Sequence, residues 1–128
     1  MRHLGIDYGT KKIGLALSDE AGDFAFPHSV IPADTRALST VVALCTKESV
    51  GTIVVGRSRS YTNEENPVMH EARRFAEQLH SETALPIMYE DEVLTTQEAM
   101  RDMGKSEETD ASAAAIILRS YLARTRAH

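Results

Sequence analysis

The stretch Gly51-Thr52-Ile53-Val54-Val55-Gly56 constrains this chain more than any other. It is a short β-branched run without polar alternation and with a glycine at each end, the pattern of a strand covered on both faces. Helical spacing flanks it on either side. Leu38, Val41, Val42 and Cys45 form one apolar stripe, with Asp34 or Thr35 able to cap its start, and Val68, Ala72, Phe75, Ala76 and Leu79 form the other. The segment between the central run and the second stripe, residues 57 to 67, is polar and reads as a loop. A strand set between helices needs right-handed crossovers, and so a parallel sheet with helices packed on it.

The first third follows a different rule. Leu4, Ile6 and Tyr8 alternate with His3, Gly5 and Asp7, and Ile13, Leu15 and Leu17 alternate with Gly14, Ala16 and Ser18. Gly9-Thr10-Lys11-Lys12 joins these strands through a tight connection. A turn near Glu20-Ala21-Gly22 leads to a third strand over about 23–30, ended near Pro32. Further on, Pro86-Ile87-Met88-Tyr89 begins a short strand that runs into Glu90-Asp91-Glu92. Thr95 or Thr96 caps a short helix ending near Gly104, and Lys105 to Glu108 is a polar loop. Thr109 caps a last helix whose buried side is Ala111, Ala114, Ala115, Leu118 and Leu122. Three strands followed by helix, strand, helix, strand, helix, helix predict an α/β fold: a mixed sheet with helices on both faces and the two later strands parallel to the first. The C-terminal ends of those parallel strands share the edge where such folds collect ligands.

Composition bounds the function. With 128 residues, 42% hydrophobic, the chain reads as one globular domain, 1–128. No apolar run approaches the ~20 residues of a membrane-spanning helix, and the N-terminus has no basic-then-apolar leader. The single cysteine, Cys45, excludes an internal disulfide and a Cys-rich zinc site and suits a reducing cytoplasm. Nineteen acids against 14 basic residues give a net charge of −5, with no electrostatic pointer to nucleic acid.

The acids matter more for where they fall. Asp7 ends an apolar strand, where a charge is costly unless something pairs with it. Glu90, Asp91 and Glu92 follow a strand parallel to the first, and pleating sends Glu90 and Glu92 one way and Asp91 the other. Asp110 lies in the first turn of the last helix, i to i+4 with the buried Ala114, so it points toward the sheet. Each acid has a simpler reading, as a turn residue, a solvated loop acid or a helix cap. Taken together, carboxylates from distant elements on one side of a sheet would repel one another. A hard divalent cation such as Mg²⁺ removes that cost, and two such ions support hydrolysis of a phosphodiester.

The segment Gly5-Ile6-Asp7-Tyr8-Gly9-Thr10-Lys11-Lys12-Ile13-Gly14-Leu15-Ala16, with Ser18-Asp19 after it, resembles the opening motif of the YqgF (RuvX-like) family. Three later segments agree in order and spacing: Ile53-Val54-Val55-Gly56, Asp91-Glu92-Val93-Leu94-Thr95-Thr96-Gln97-Glu98-Ala99, and Asp110-Ala111-Ser112-Ala113-Ala114-Ala115-Ile116-Ile117-Leu118. Members are described as Holliday junction resolvases and as pre-16S rRNA nucleases. The resemblance implies an RNase H-like fold in which the antiparallel meander and the two later strands form one five-stranded sheet. It also implies a divalent-metal nuclease whose catalytic acids are Asp7, Glu92 and Asp110. Those residues, with Asp91 as an alternative ligand, would hold Mg²⁺ or Mn²⁺, as two ions. Lys11, Lys12, Arg57, Arg59 and Lys105 are the candidate nucleic-acid contacts. The implied substrates are precursor rRNA or branched DNA, and junction cleavage would favour a two-fold homodimer. Three departures from the family pattern stand out. Val93 replaces an arginine after the Asp-Glu pair. Arg57-Ser58-Arg59 replaces an apolar residue and proline, and the loop before Asp110 is short and carries Glu107 and Glu108. Val93 and the acidic loop favour the alternative of a non-catalytic RNA-binding or ribosome-assembly module.

Overall fold

The computed structural model describes residues 1–57, 67–91 and 107–126. In chain order its elements are β1 (Arg2–Tyr8), β2 (Lys12–Ser18), β3 (Ala25–Pro32), α1 (Ala37–Lys47), β4 (Val50–Arg57), α2 (Pro67–Thr83), β5 (Ile87–Asp91) and α3 (Glu107–Arg126). The expected short helix ending near Gly104 lies outside the described residues. The strands form one sheet in the order β3-β2-β1-β4-β5. β1, β2 and β3 are an antiparallel meander, β4 lies parallel to β1, and β5 lies parallel to β4. This is the expected mixed RNase H-like sheet.

Alternation sorts the strand residues between two layers. Leu4, Ile6, Ile13, Leu15, Leu17, Ile53 and Val55 pack with Ala37, Val41 and Cys45 of α1 and Phe75, Ala76 and Leu79 of α2. On the other face Ala16, Ala25 and Val54 pack with Ala114, Ala115, Ile117, Leu118, Tyr121 and Leu122 of α3. The central run is thus covered on both sides, as its lack of alternation predicts. No helix among the described residues is long and apolar enough to cross a membrane.

Element boundaries shift where local hydrogen bonding outweighs pattern. The first helix begins at Ala37, and Asp34 acts just before it: its Oδ1 accepts from the Arg36 N–H at 2.9 Å and its carbonyl from the Ala37 N–H at 3.1 Å. In the turn before β3, Gly22 takes a left-handed φ of 76°, and Asp19 Oδ1 accepts from the N–H groups of Asp23 and Phe24. The last helix starts at Glu107, two residues ahead of the expected cap at Thr109. β5 runs through Asp91, so Glu90 and Asp91 are strand residues and not part of a loop.

Candidate active site at the carboxyl edge of the sheet

β1, β4 and β5 are parallel, so their C-terminal ends lie along one edge. Asp7 is the penultimate residue of β1 and is half-buried. Its face follows from its neighbours. Tyr8 turns toward α2, where its ring meets Phe75 at 5.3 Å between centroids. Burial, with the Glu71 carboxylate as the lesser cause, raises the Tyr8 phenol above its ordinary range and keeps it neutral. Gly5 turns the other way, under α3, so Asp7 shares the α3 face.

Gly5 also explains how close the helix comes. A Cβ there would lie 2.9 Å from the Ala114 carbonyl oxygen and 3.0 Å from the Leu118 Cβ, so only glycine fits beneath α3. Ala111, Ala113, Ala114 and Ala115 are all buried, and their small side chains let the helix backbone settle against the strands. The helix direction is set by three contacts. Tyr121 lies against His3 with ring centroids 6.0 Å apart, and Leu118 and then Ala114 lie over Gly5. The helix therefore runs antiparallel to β1. Continuing one turn toward its N-terminus from Ala114 reaches backbone position 110, as two residues along β1 from Gly5 reach Asp7. Asp7 pairs across the sheet with Gly14, and Gly56 follows the last paired residue of β4 on the other side, so the positions directly beside it are glycines.

The triple acid resolves into separate roles. Glu90 faces α3 and is only 8% exposed. Its Oε2 accepts a hydrogen bond from Ser120 Oγ at 2.8 Å, and its Oε1 accepts from Arg124 Nη2 at 2.6 Å and Nε at 3.1 Å. The Glu90 carboxylate in turn raises the already high Arg124 pKa. Asp91 faces the other way and is mostly exposed; its Oδ1 accepts from Arg57 Nε at 2.7 Å. Arg57 was expected as a nucleic-acid contact, and it stands at this edge anchored to a carboxylate. Lys11 and Lys12 are exposed in the hairpin that follows Asp7.

Glu92, Val93, Arg59 and Lys105 lie outside the described residues, and of Asp110 the structure describes the helical backbone alone. Among the described residues no three His, Cys, Asp or Glu side chains stand together as a metal-binding group. Two features escaped the sequence reading. Glu90 reads as a solvated acid until its partners are known, although Ser120 and Arg124 are spaced i, i+4 on the last helix. Gly5 reads as a polar-side alternation residue, although a glycine inside a strand signals close backbone approach.

The sheet and its helices match known proteins over almost their full length. A structure of Thermus thermophilus RuvC in complex with a Holliday junction substrate superposes with a TM-score of 0.66 at 17% identity, covering 98% of this chain and 96% of that one. The fowlpox virus Holliday junction resolvase superposes at 0.59 with 13% identity, covering 97% and 99%. At these identities the likeness is one of fold. In sequence, a protein of Maridesulfovibrio salexigens named "Putative pre-16S rRNA nuclease" is 36% identical, covering 97% of this chain and 99% of its own length. A protein of the same name from Anaeromyxobacter sp. is 39% identical, covering 95% and 96%. The family model described as "RuvX: Holliday junction resolvase" matches residues 1–124. With one sheet, one acid-bearing edge and four motifs in register, this chain belongs to the RuvX family of nucleases.

Proposed function

We propose that this protein is a divalent-metal-dependent endonuclease that hydrolyses phosphodiester bonds in structured nucleic acid, with the 5′ end of pre-16S rRNA as its first substrate. The observation that carries the reading is the placement of Asp7 at the carboxyl edge, on the face over which α3 runs antiparallel to β1. Asp7, Glu92 and Asp110 are the assigned catalytic acids and metal ligands. Between Asp91 and Glu92, the geometry favours Glu92. Asp91 turns away from α3 and is held by Arg57, which supports Glu92 as the ligand of the two.

The donor set fits the cation. Carboxylate oxygens suit hard divalent ions, Mg²⁺ or Mn²⁺, and Gly14, paired with Asp7, adds no side chain beside it. When bound, a pair of such ions supplies Lewis acidity at the attacking and leaving oxygens of an in-line displacement. The chain's own residues do the rest. Asp7 is held on a strand whose neighbours lock its direction, and the alanine-lined α3 is the helix that carries Asp110. Lys11 and Lys12 offer exposed ammonium groups to the phosphates flanking the cut, and Arg59 and Lys105 are assigned the same task. Arg57, oriented by Asp91, supplies a guanidinium for a phosphate in place of the arginine that Val93 replaces. With an overall charge of −5, substrate affinity depends on bound cations and falls steeply with salt.

Cleavage of precursor 16S rRNA and of a four-way DNA junction, each with and without Mg²⁺ and each with wild type and Asp7→Asn, tests the assignment. Metal-dependent cutting that Asp7→Asn abolishes is the expected result, and equal cutting by the variant sinks it. A junction-resolving activity on a two-fold dimer is the second reading, favoured by the fold shared with the RuvC–junction complex. It predicts faster cutting of the junction than of the RNA.

A further inference from the structure

Glu90 is a charged group with no part in the assigned chemistry, yet among the described residues it is one of the most enclosed polar side chains. Both of its carboxylate oxygens are engaged, one by Ser120 and the other twice by Arg124. Arg124 is itself held on a second side, its guanidinium 5.5 Å from the centroid of the Tyr121 ring. The elements joined in this way are telling. Glu90 is two residues upstream of Glu92, and Ser120 and Arg124 belong to the helix that carries Asp110.

At the opposite edge of the sheet Arg119 Nε and Nη2 donate to the Ala25 carbonyl of β3 at 3.2 and 3.0 Å, while toward β5 the rest of the α3 interface holds the helix close but offers little to fix its position along the strands. Its contact with the central strands is made by alanines, aliphatic side chains, the Tyr121 ring beside His3 and the bare Gly5. Such surfaces are non-directional, so a small slide or rotation costs little until a large group meets a wall. A guanidinium that donates two N–H bonds to one oxygen of a buried carboxylate is directional, and the best-attested use of such a pair is in setting register. We propose that the Glu90–Ser120–Arg124 cluster is a positioning device that fixes α3 against the end of β5, and that it thereby sets the divalent-cation affinity of the site built from Asp7, Glu92 and Asp110. This rests on the metal assignment proposed above. Glu90 acts through the two elements it joins and is a positioning residue, without contact to substrate.

The test is direct Mn²⁺ binding, followed by the loss of the free-ion electron paramagnetic resonance signal, on folded full-length protein well below its Tm. Wild type takes up Mn²⁺ and Asp7→Asn does not. Glu90→Gln and Arg124→Met each raise the half-saturating Mn²⁺ concentration about tenfold, the scale on which supporting residues tune a metal site. Arg124→Lys, which keeps the charge and one hydrogen bond, restores most of the affinity. Arg124 is half-exposed, so its variants keep the test open should Glu90→Gln fail to fold. Lower thermal stability with unchanged Mn²⁺ affinity in Glu90→Gln and Arg124→Met means a merely structural ion pair and overturns the proposal. If Asp7→Asn binds Mn²⁺ as wild type does, the metal assignment falls and the positioning role falls with it. If Asp7→Asn loses the ion while the other variants keep it, the positioning role alone is wrong.

Discussion

The two faces of the sheet are built to different specifications. Under α1 and α2 the strands present Leu4, Ile6, Ile13, Leu15, Leu17, Ile53 and Val55, and the helices answer with Val41, Phe75 and Leu79. Under α3 the same strands present Gly5, Asp7, Gly14, Ala16, Val54 and Gly56, and the helix answers with alanines toward its start and with Ile117, Leu118, Tyr121 and Leu122 beyond them. The first face maximises apolar volume and area, the terms that stabilise a fold. The second gives up volume for proximity, bringing backbone near backbone and ending in a directional ion pair. One layer holds the protein together, and the other holds it in place.

That contrast can be broken by substitution. The largest effect is expected at Asp7: Asp7→Asn removes a proposed metal ligand worth several kcal/mol to the transition state, so cleavage should fall by about a thousandfold with no loss of Tm. Next comes the apolar face. Leu79 is fully buried, and Leu79→Ala should cost about 2–5 kcal/mol in urea unfolding while leaving Mn²⁺ affinity of the folded protein intact. Gly5→Ala sharpens the comparison from the other side. Its methyl would meet the Ala114 carbonyl and Leu118, so unfolding should show a loss of about 1–3 kcal/mol, and Mn²⁺ binding should weaken as well. A stable Gly5→Ala protein with undisturbed metal binding would show that proximity on this face is incidental.

The smallest effect concerns Cys45, buried in the core cluster on the apolar face. Burial pushes its thiol up to about 11 from 9.0. The native state therefore keeps its proton where the unfolded chain loses it. This contribution is complete below pH 9 and disappears as pH rises toward 11. Urea midpoints of wild type should fall more steeply between those values than those of Cys45→Val, and parallel curves would refute the assignment.

Most of the fold could be read before any coordinates. The glycine-bounded run at 51–56 demanded a strand with two covered faces, and the alternation at 4–8 and 13–17 demanded a hairpin with one aliphatic side; both are present. What could not be read was partnership. Pleating assigned Glu90 and Asp91 to opposite sides, but a pattern of one strand does not say that Arg57 waits on one side and Arg124 on the other. Gly5 shows the same limit. Its freedom from a side chain is visible in the sequence, while the carbonyl that needs the space comes from a helix more than a hundred residues away.

That separation has a consequence for how the molecule is made. The meander of β1, β2 and β3 is local and can form early, but α3 closes over it from the far end of the described chain. Contacts across so long an interval require the loop-closure entropy to be met first, which places them late in folding. Asp7 and Asp110 belong to the two partners of that closure. A chain caught halfway through folding would carry the hairpin and its lysines without an assembled set of acids, able to touch a phosphate backbone but not to cut it.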